Sequence, residues 1–303
     1  MYSLFSTKTL SRGDILSLLN RAQTYIDQGT YPLYHGTIAT VFAEPSTRTN
    51  LSFQMAAQQL GLRVLNFQMD NSSLLKGETL QDTLETLSAM GVDVAVIRAG
   101  GNWPETINTD ELSIGVINAG SGLHQHPTQA LLDALTIQQQ FINFNNLKIT
   151  IVGDIKHSRV ARSNLDILSK LGARVLFSGP SDFMDKEVSR LAPWIDFDQA
   201  ILDSDVIMML RVQHERHSGH LDFDKVSYHE KYGLTSARVN RMKSNAIFMH
   251  PGPVNRDVEI ASEVIKHPKS RILTQVQNGV AIRMALLGKC FEGGKNYAEL
   301  ALV

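Results

Sequence analysis

The sequence predicts an α/β protein built as two doubly wound parallel-sheet domains, with a cleft between them and long helices linking them. Three observations support this fold class. The chain has 303 residues, which is long for one hydrophobic core and ordinary for two. Short apolar segments, turns and amphipathic segments alternate along it, as is typical of parallel sheets covered by helices. A polar segment without periodicity, residues 143–146, separates two such series and is the candidate hinge.

The first series contains four apolar segments that predict strands, and its amphipathic segments carry helix start and stop signals. Ser46 or Thr47 can cap a helix that Gly61 ends, and Pro127 lies in a first helical turn, where proline is favoured. The predicted strands are 37–43, 63–69, 92–98 and 114–118, and the predicted helices are 46–60, 78–90 and 127–141, with an earlier helix that starts at Ser11 or Asp14.

The second series repeats this pattern after the polar segment. Gly172 ends a helix that begins at Arg159, and no element is assigned to the polar stretch 214–243. The predicted strands are 148–152, 174–177, 205–210 and 246–249, and the predicted helices are 159–171 and 280–291. We therefore expect a first domain of residues 1–135, completed by a C-terminal helix at 279–303, and a second domain of residues 136–278.

Charge and composition argue against several classes of protein. The formal net charge of -1 creates no field that would recruit nucleic acid or an anionic membrane, so neither is expected as a partner. Cys290 is the only cysteine, which excludes an internal disulfide and disfavours a cysteine metal site. The first residues do not resemble a signal peptide, and no apolar run approaches the ~20 residues that span a membrane. We expect a cytoplasmic protein in which local clusters of cations hold any anionic ligand.

The segment Ser46–Thr49 reads S-T-R-T at a predicted strand-to-helix turn. Helix N-termini present free N–H groups and the positive end of the helix dipole, so they bind phosphate. Three hydroxyl groups and the planar guanidinium of Arg48 add donors for phosphate oxygens. An ordinary capping box followed by an exposed arginine is the alternative explanation.

A second helix start carries His126-Pro127-Thr128-Gln129. A neutral imidazole and a carboxamide placed there can recognise a carbonyl and an amide on one small ligand. A surface histidine beside a favoured proline is the alternative.

Further polar groups follow predicted strands or lie in polar loops. Any one of these cations could be an ordinary solvated surface residue. Strand ends of a doubly wound sheet, however, face the ligand, and a ligand with several negative charges needs several cations. These residues are Lys76, Arg98, Arg159 and Arg211, with Gln213 two positions after Arg211.

Two weak patterns would indicate nucleotide binding or metal binding, but both are incomplete. The turn Val152-Gly153-Asp154 lacks the complete glycine fingerprint of dinucleotide sites. His214, His217 and His220 lack metal-ligand spacing. No cofactor and no metal are therefore expected.

Six motifs occur in an order that belongs to one family. They lie between residues 42 and 260, within a similarity that covers about residues 40 to 287, and read F-x-E-P-S-T-R-T, K-G-E-T-L-x-D-T, H-P-T-Q-A-L-L-D, G-D-x-K-x-S-R, L-R-V-Q-x-E-R and M-H-P-G-P-V-N-R-D-V-E-I. The chain resembles the aspartate/ornithine carbamoyltransferase family, and most closely its aspartate-specific catalytic chains. The resemblance implies transfer of the carbamoyl group of carbamoyl phosphate to L-aspartate, in pyrimidine biosynthesis, without a cofactor.

The resemblance also implies a role for each matching residue. The first domain would bind carbamoyl phosphate and the second would bind aspartate. The implied carbamoyl-phosphate site is Ser46, Thr47, Arg48, Thr49, Arg98, His126, Gln129, Gly252 and Pro253, with Thr49, Arg98 and His126 catalytic as donors to the oxyanion. The implied aspartate site is Lys76, Arg159, Arg211 and Gln213.

Assembly and closure are implied in the same way. Ser72 and Lys76 would come from the neighbouring subunit of a homotrimer with shared active sites. Glu44 would pair with Arg159 and Arg216 when the domains close on both substrates. The sequence leaves open whether regulatory chains or dihydroorotase associate.

Three positions depart from the family pattern: Asn50 where many relatives carry a basic residue, Ala99 where many carry histidine, and Gly252 where leucine or alanine is commoner. Two other functions compete with the aspartate reaction. Ornithine carbamoyltransferases share S-T-R-T but typically carry H-C-L-P where this chain has His250-Pro251-Gly252-Pro253. An inactive scaffold would keep the fold without the activity.

Overall fold

The structure, a computed structural model, describes residues 1–68, 77–185, 187–212 and 225–292. Its contacts divide the chain into two compact units, Met1–Leu135 with Val276–Val303, and Thr136–Gln275. The division falls inside a helix and not at the candidate hinge. Residues 143–146 belong to the second unit, because Phe144 is buried and the backbone N–H of Asn146 donates to the carbonyl of Gly172 (3.3 Å).

The described helices and strands alternate along most of the chain. The strands are β1 (Thr37–Phe42), β2 (Arg63–Gln68), β3 (Val94–Ala99), β4 (Gly115–Ser121), β5 (Lys148–Val152), β6 (Arg174–Ser178), β7 (Val206–Met209) and β8 (Ile247–Met249). The helices are α1 (Arg12–Gln28), α2 (Thr47–Gln59), α3 (Leu80–Ala89), α4 (Pro127–Phe141), α5 (Arg159–Leu171), α6 (Phe197–Asp203), α7 (Lys225–Tyr232), α8 (Ser236–Arg241) and α9 (Ile272–Phe291). The alternation is broken where β4 follows β3 without an intervening α-helix and where α8 follows α7 directly.

The first unit is built on one parallel sheet with strand order β2-β1-β3-β4. Most side chains of the central strands β1 and β3 are buried, including Val41 and Ile97, which belong to the same core cluster. The late helix α9 completes this unit: the ring of Phe291 lies 5.7 Å from that of Tyr34, and Arg21 forms an ion pair with Glu292. The unit therefore needs two distant parts of the chain.

The second unit is built on a parallel sheet with strand order β6-β5-β7-β8. The two sheets together confirm the predicted fold class of parallel α/β sheets. The predicted bounds of β5 and α5 agree with the structure, since Gly172 ends α5 in the left-handed conformation (φ 98°). The helices α7 and α8 were not predicted, because they are short and polar and lie inside the stretch 214–243.

Helix starts follow local side-chain chemistry. Ser11 caps α1 and forms a reciprocal capping box with Asp14, and Thr79 does the same with Asp82 at α3. Because Thr79 is the cap, α3 begins after the predicted position 78. The helix α9 begins at Ile272, eight residues before the predicted start, because polar side chains in its first turns obscure the apolar periodicity. In the described part of the chain, no helix has both the length and the apolar character needed to cross a membrane.

Candidate active site

The predicted ligand residues of the first unit lie where its strand order reverses. The chain goes outward from β1 to β2 on one side and from β3 to β4 on the other, so the reversal falls between β1 and β3. Doubly wound sheets bind ligands at the carboxyl ends of strands at this place. Ser46 and Thr47 follow β1, and Arg98 lies near the end of β3, so all three residues lie at this edge of the sheet.

The start of α2 is well suited to an anion. Ser46 is the N-cap residue, yet its hydroxyl makes no capping hydrogen bond, and no acidic side chain lies in the first turn. Thr47 and Arg48 are exposed, whereas Thr49 is buried. The free N–H groups of the first turn and the positive end of the helix dipole lie at this helix start beside three hydroxyl groups and a guanidinium, which is a combination that binds phosphate.

Arg98 has an acidic partner inside the first unit. Its Nε lies 3.5 Å from Oε2 of Glu44, and both side chains are largely buried. A carboxylate beside the guanidinium limits its motion and holds it at the strand end. The predicted pairing of Glu44 with Arg159 and Arg216 stays a prediction.

The start of α4 carries two buried polar side chains. His126 precedes Pro127, the first residue of the helix, and is 4% exposed; Gln129 is 7% exposed. The amide nitrogen of Gln129 donates to Oδ1 of Asp133 (2.9 Å). This bond fixes the carboxamide so that its oxygen is the atom available to accept a hydrogen bond from a ligand N–H group.

The second unit repeats the arrangement at its own reversal, between β5 and β7. Arg159 is the first residue of α5, after β5, and is buried; Arg211 follows β7 by two residues and is half-buried. In the turn between β5 and α5, Asp154 is buried and its Oδ1 lies 3.0 Å from Nδ1 of His157. Two cations therefore lie at the carboxyl ends of neighbouring strands, where a ligand carboxylate can be bound.

A network that sequence reasoning missed supports the loop after β8. His250 and Glu259 have fully buried side chains, with His250 Nε2 and Glu259 Oε1 3.7 Å apart. Nδ1 of His250 accepts the backbone N–H of Gly252 (2.8 Å), and Oε1 of Glu259 accepts that of Val212 (3.1 Å). The same pair therefore holds both the loop 250–253 and the segment beside Arg211. The only sign of this network in the sequence was that His250 and Glu259 occur in the same family motif.

Two family descriptions match the chain. Residues 3–139 match the carbamoyl-P binding domain of aspartate/ornithine carbamoyltransferases, and residues 145–290 match their Asp/Orn binding domain. The chain belongs to the aspartate/ornithine carbamoyltransferase family. This result confirms the resemblance drawn from the six motifs.

Curated relatives within this carbamoyltransferase family are similar over nearly their whole length. The aspartate carbamoyltransferase catalytic subunit of Ligilactobacillus salivarius is 47% identical over 300 residues, which cover 96% of this chain and 95% of the relative. That of Listeria welshimeri is 48% identical over 289 residues, which cover 95% of both chains.

Solved carbamoyltransferase structures share the fold. Aspartate transcarbamoylase from Trypanosoma cruzi, in complex with carbamoyl aspartate and phosphate, has a TM-score of 0.85 and 31% identity, covering 94% of both chains. Ornithine carbamoyltransferase from Pyrococcus furiosus has the same TM-score of 0.85 with 26% identity, covering 97% of this chain and 98% of that one. Shape alone therefore does not separate the two acceptor substrates.

One departure from the carbamoyltransferase pattern has a local explanation. Gly252 has a φ of 69°, in the left-handed region that favours glycine, and its peptide bond to Pro253 is cis. Nothing in the structure explains why Asn50 and Ala99 differ from the residues that are common in the family.

Four predicted site residues lie outside the described residues: Ser72, Lys76, Gln213 and Arg216. The histidines at 214, 217 and 220 do as well. In the part of the chain that the structure does describe, no group of three or more His, Cys, Asp or Glu side chains is arranged to hold a metal ion.

Proposed function

We propose that this chain transfers the carbamoyl group of carbamoyl phosphate to the amine of L-aspartate, giving N-carbamoyl-L-aspartate and phosphate. One observation carries the proposal. The anion-binding start of α2 and the guanidinium of Arg98 meet at the strand reversal of the first unit, while Arg159 and Arg211 lie at that of the second. Each unit therefore offers cations to one of two anionic substrates.

Carbamoyl phosphate fits the first unit. Its phosphate suits the start of α2, with Ser46, Thr47 and Arg48, and its carbonyl oxygen suits Thr49, Arg98 and His126. The acceptor oxygen of Gln129 suits the carbamoyl NH2 group, and the family motif around Gly252 and Pro253 adds backbone carbonyls for the same group. These assignments rest on the family motifs and on the helix starts described above.

Aspartate is favoured over ornithine as the acceptor. Arg159 suits its α-carboxylate, and Arg211, with Gln213 and Lys76, suits its side-chain carboxylate. The ornithine reaction needs a site for a cationic side chain, and an arginine at that place would repel it. The loop after β8 also lacks the cysteine typical of ornithine enzymes, because the single cysteine, Cys290, is buried in α9.

The mechanism requires no nucleophilic side chain. The neutral amine of aspartate attacks the carbonyl carbon, a tetrahedral intermediate forms, and phosphate leaves. Catalysis comes from holding two anions together and from donors aimed at the developing oxyanion: Thr49, Arg98 and His126. The departing phosphate accepts the amine proton, which removes the need for a dedicated base.

A homotrimer with shared sites is part of the proposal. Ser72 and Lys76 of one subunit would complete the site of its neighbour, where the lysine offsets repulsion between phosphate and carboxylate. A head-to-tail contact between identical subunits closes into such a ring when each contact rotates the next subunit by a third of a turn.

A substrate assay tests the proposal. Purified protein is given carbamoyl phosphate with either L-aspartate or L-ornithine, and carbamoylated product is measured by its ureido group. We expect rapid formation of carbamoyl aspartate and at most a trace of citrulline. Faster carbamoylation of ornithine would show that the chain is an ornithine carbamoyltransferase. The absence of product from either amine would indicate an inactive scaffold.

A further inference from the structure

A buried arginine lies behind the carbamoyl-phosphate motifs of the first unit. Arg283 is on α9 and is 3% exposed, although none of the six family motifs contains it. A buried guanidinium is costly unless its charge and donors are used. Its surroundings therefore indicate what it does.

The guanidinium connects the two helices whose first turns carry the ligand motifs. Nη1 donates to Oγ of Ser52 on α2 (2.8 Å), and Nη2 lies 3.4 Å from Oγ1 of Thr128 on α4. Ser52 lies one turn after Arg48, and Thr128 stands between His126 and Gln129 in the sequence. One rigid fork thus bonds to both ligand-binding helices at once.

Neighbouring groups fix the guanidinium in this position. Its Cζ lies 5.1 Å from the centre of the Phe53 ring, on α2. Gly279 makes room for it, because a Cβ atom there would lie 2.5 Å from Nη1. Burial first, and then the charge of Arg98, lower the pKa of Arg283 to about 9, while Asp133 opposes this change. The group is therefore cationic at neutral pH.

Asp133 extends the connection to a predicted ligand residue. Its carboxylate attracts Arg283 and also accepts the amide N–H of Gln129 (2.9 Å). Any shift of the guanidinium would therefore move Thr128 and disturb the orientation of Gln129.

We propose that Arg283 is a positioning residue that sets the distance between the phosphate-binding start of α2 and the carbonyl-binding start of α4. This inference rests on the proposed function. Inorganic phosphate needs only the start of α2 and Arg98, whereas carbamoyl phosphate spans both helix starts. Loss of the bridge therefore weakens the longer ligand selectively.

The deciding variant is Arg283→Lys, which keeps the charge but cannot bond to both helices with a planar fork. Binding of inorganic phosphate and of phosphonoacetamide, a stable analogue of carbamoyl phosphate, is measured by calorimetry. We expect phosphate affinity to change less than about threefold, phosphonoacetamide affinity to fall about tenfold or more, and kcat to fall with it. Equal weakening of both ligands, or no change in either, would overturn the proposal.

Two further variants protect the test against a folding defect. Ser52→Ala removes only the α2 side of the bridge, and we expect the same selective loss in weaker form. Leu286→Ala, at a fully buried position of the same helix, serves as a control that lowers the Tm without changing the ratio of the two affinities. A selective loss in this control would show that general loosening of α9 is the cause.

The wild-type protein separates this inference from the proposed function. If it forms no carbamoyl aspartate, the proposed function fails. If it does, and Arg283→Lys leaves the ratio of affinities unchanged, only the positioning role fails.

Discussion

The buried imidazole of His126 is the residue at which the proposed chemistry is most directly testable. We assign it as a neutral donor to the oxyanion, so His126→Ala should lower kcat about 10²-fold, the scale of one lost donor. His126→Asn supplies an amide N–H at a similar distance and should recover part of the rate. Steady-state kinetics at saturating substrates measure both variants, and an asparagine variant as slow as the alanine variant would indicate proton transfer instead.

The single thiol offers a second prediction at the residue scale. Cys290 is 1% exposed, and burial raises its pKa to about 12. The thiolate is the reactive form, so the native protein should resist iodoacetamide at pH 8, whereas the denatured chain should take up one equivalent. Mass spectrometry counts the labels, and Cys290→Ser is the control. Rapid stoichiometric labelling of native protein would contradict the burial of α9 in the first unit.

At the scale of single elements, the capping box of α1 makes stability depend on pH. The hydroxyl of Ser11 accepts the N–H of Asp14 (3.1 Å), and the hydrogen bonds that Ser11 donates lower the pKa of Asp14. Ser11→Ala should reduce the free energy of unfolding by about 1 kcal/mol at pH 7.

The sign of the pH effect follows from that lowered pKa. The contribution of the carboxylate is fully present above its ordinary pKa of about 3.9 and is lost as pH falls below it, through the lowered value in the folded state. Denaturant unfolding of wild type and Ser11→Ala at pH 7 and near pH 3 should show the difference shrinking. A difference that stays constant would mean that Asp14 does not contribute through its charge.

Elements with local signals could be predicted from the sequence, and those held by distant contacts could not. The bounds of α5 followed from its apolar periodicity and from Gly172, and the start of α2 from Ser46 after an apolar strand. The first turns of α9 were missed because they contain Gln275 and Asn278, which are polar yet buried against the rest of the fold.

The same distinction applies to the candidate site. Residues at strand ends and helix starts, such as Arg98 and His126, could be proposed because the sheet order brings those positions to one edge. Arg283 and Glu259 could not be proposed, because each lies in or beside apolar sequence and its role follows only from its contacts in the folded chain. A charge in an apolar helix becomes informative only when its partners are known.

At the scale of the whole molecule, the proposed homotrimer with shared sites predicts that two inactive variants restore activity to each other. Lys76→Ala and Arg48→Ala subunits are dissociated, mixed and reassembled. In a mixed trimer, some interfaces combine an intact Arg48 with an intact Lys76 from the neighbour, and those sites should be active. Carbamoyl-aspartate formation measures the recovery, with each variant reassembled alone as the control. Mixed trimers no more active than these controls would place each site within a single chain.

The completion of the first unit by α9 has a consequence for synthesis on the ribosome. The strands β1–β4 emerge first, but Phe291 and Arg283 emerge only after the whole second unit has been translated, which at about 5–20 residues per second takes on the order of ten seconds. The second unit is continuous in the chain and can fold once it has emerged, whereas the earlier sheet still lacks α9 at that point and keeps apolar surface exposed to chaperones. Nascent chains that end at Gln275 and are arrested through a flexible linker long enough to clear the ribosome tunnel should therefore protect the later unit from protease and leave the earlier one cleavable. Protection of both units before α9 emerges would show that the helix is dispensable for this step.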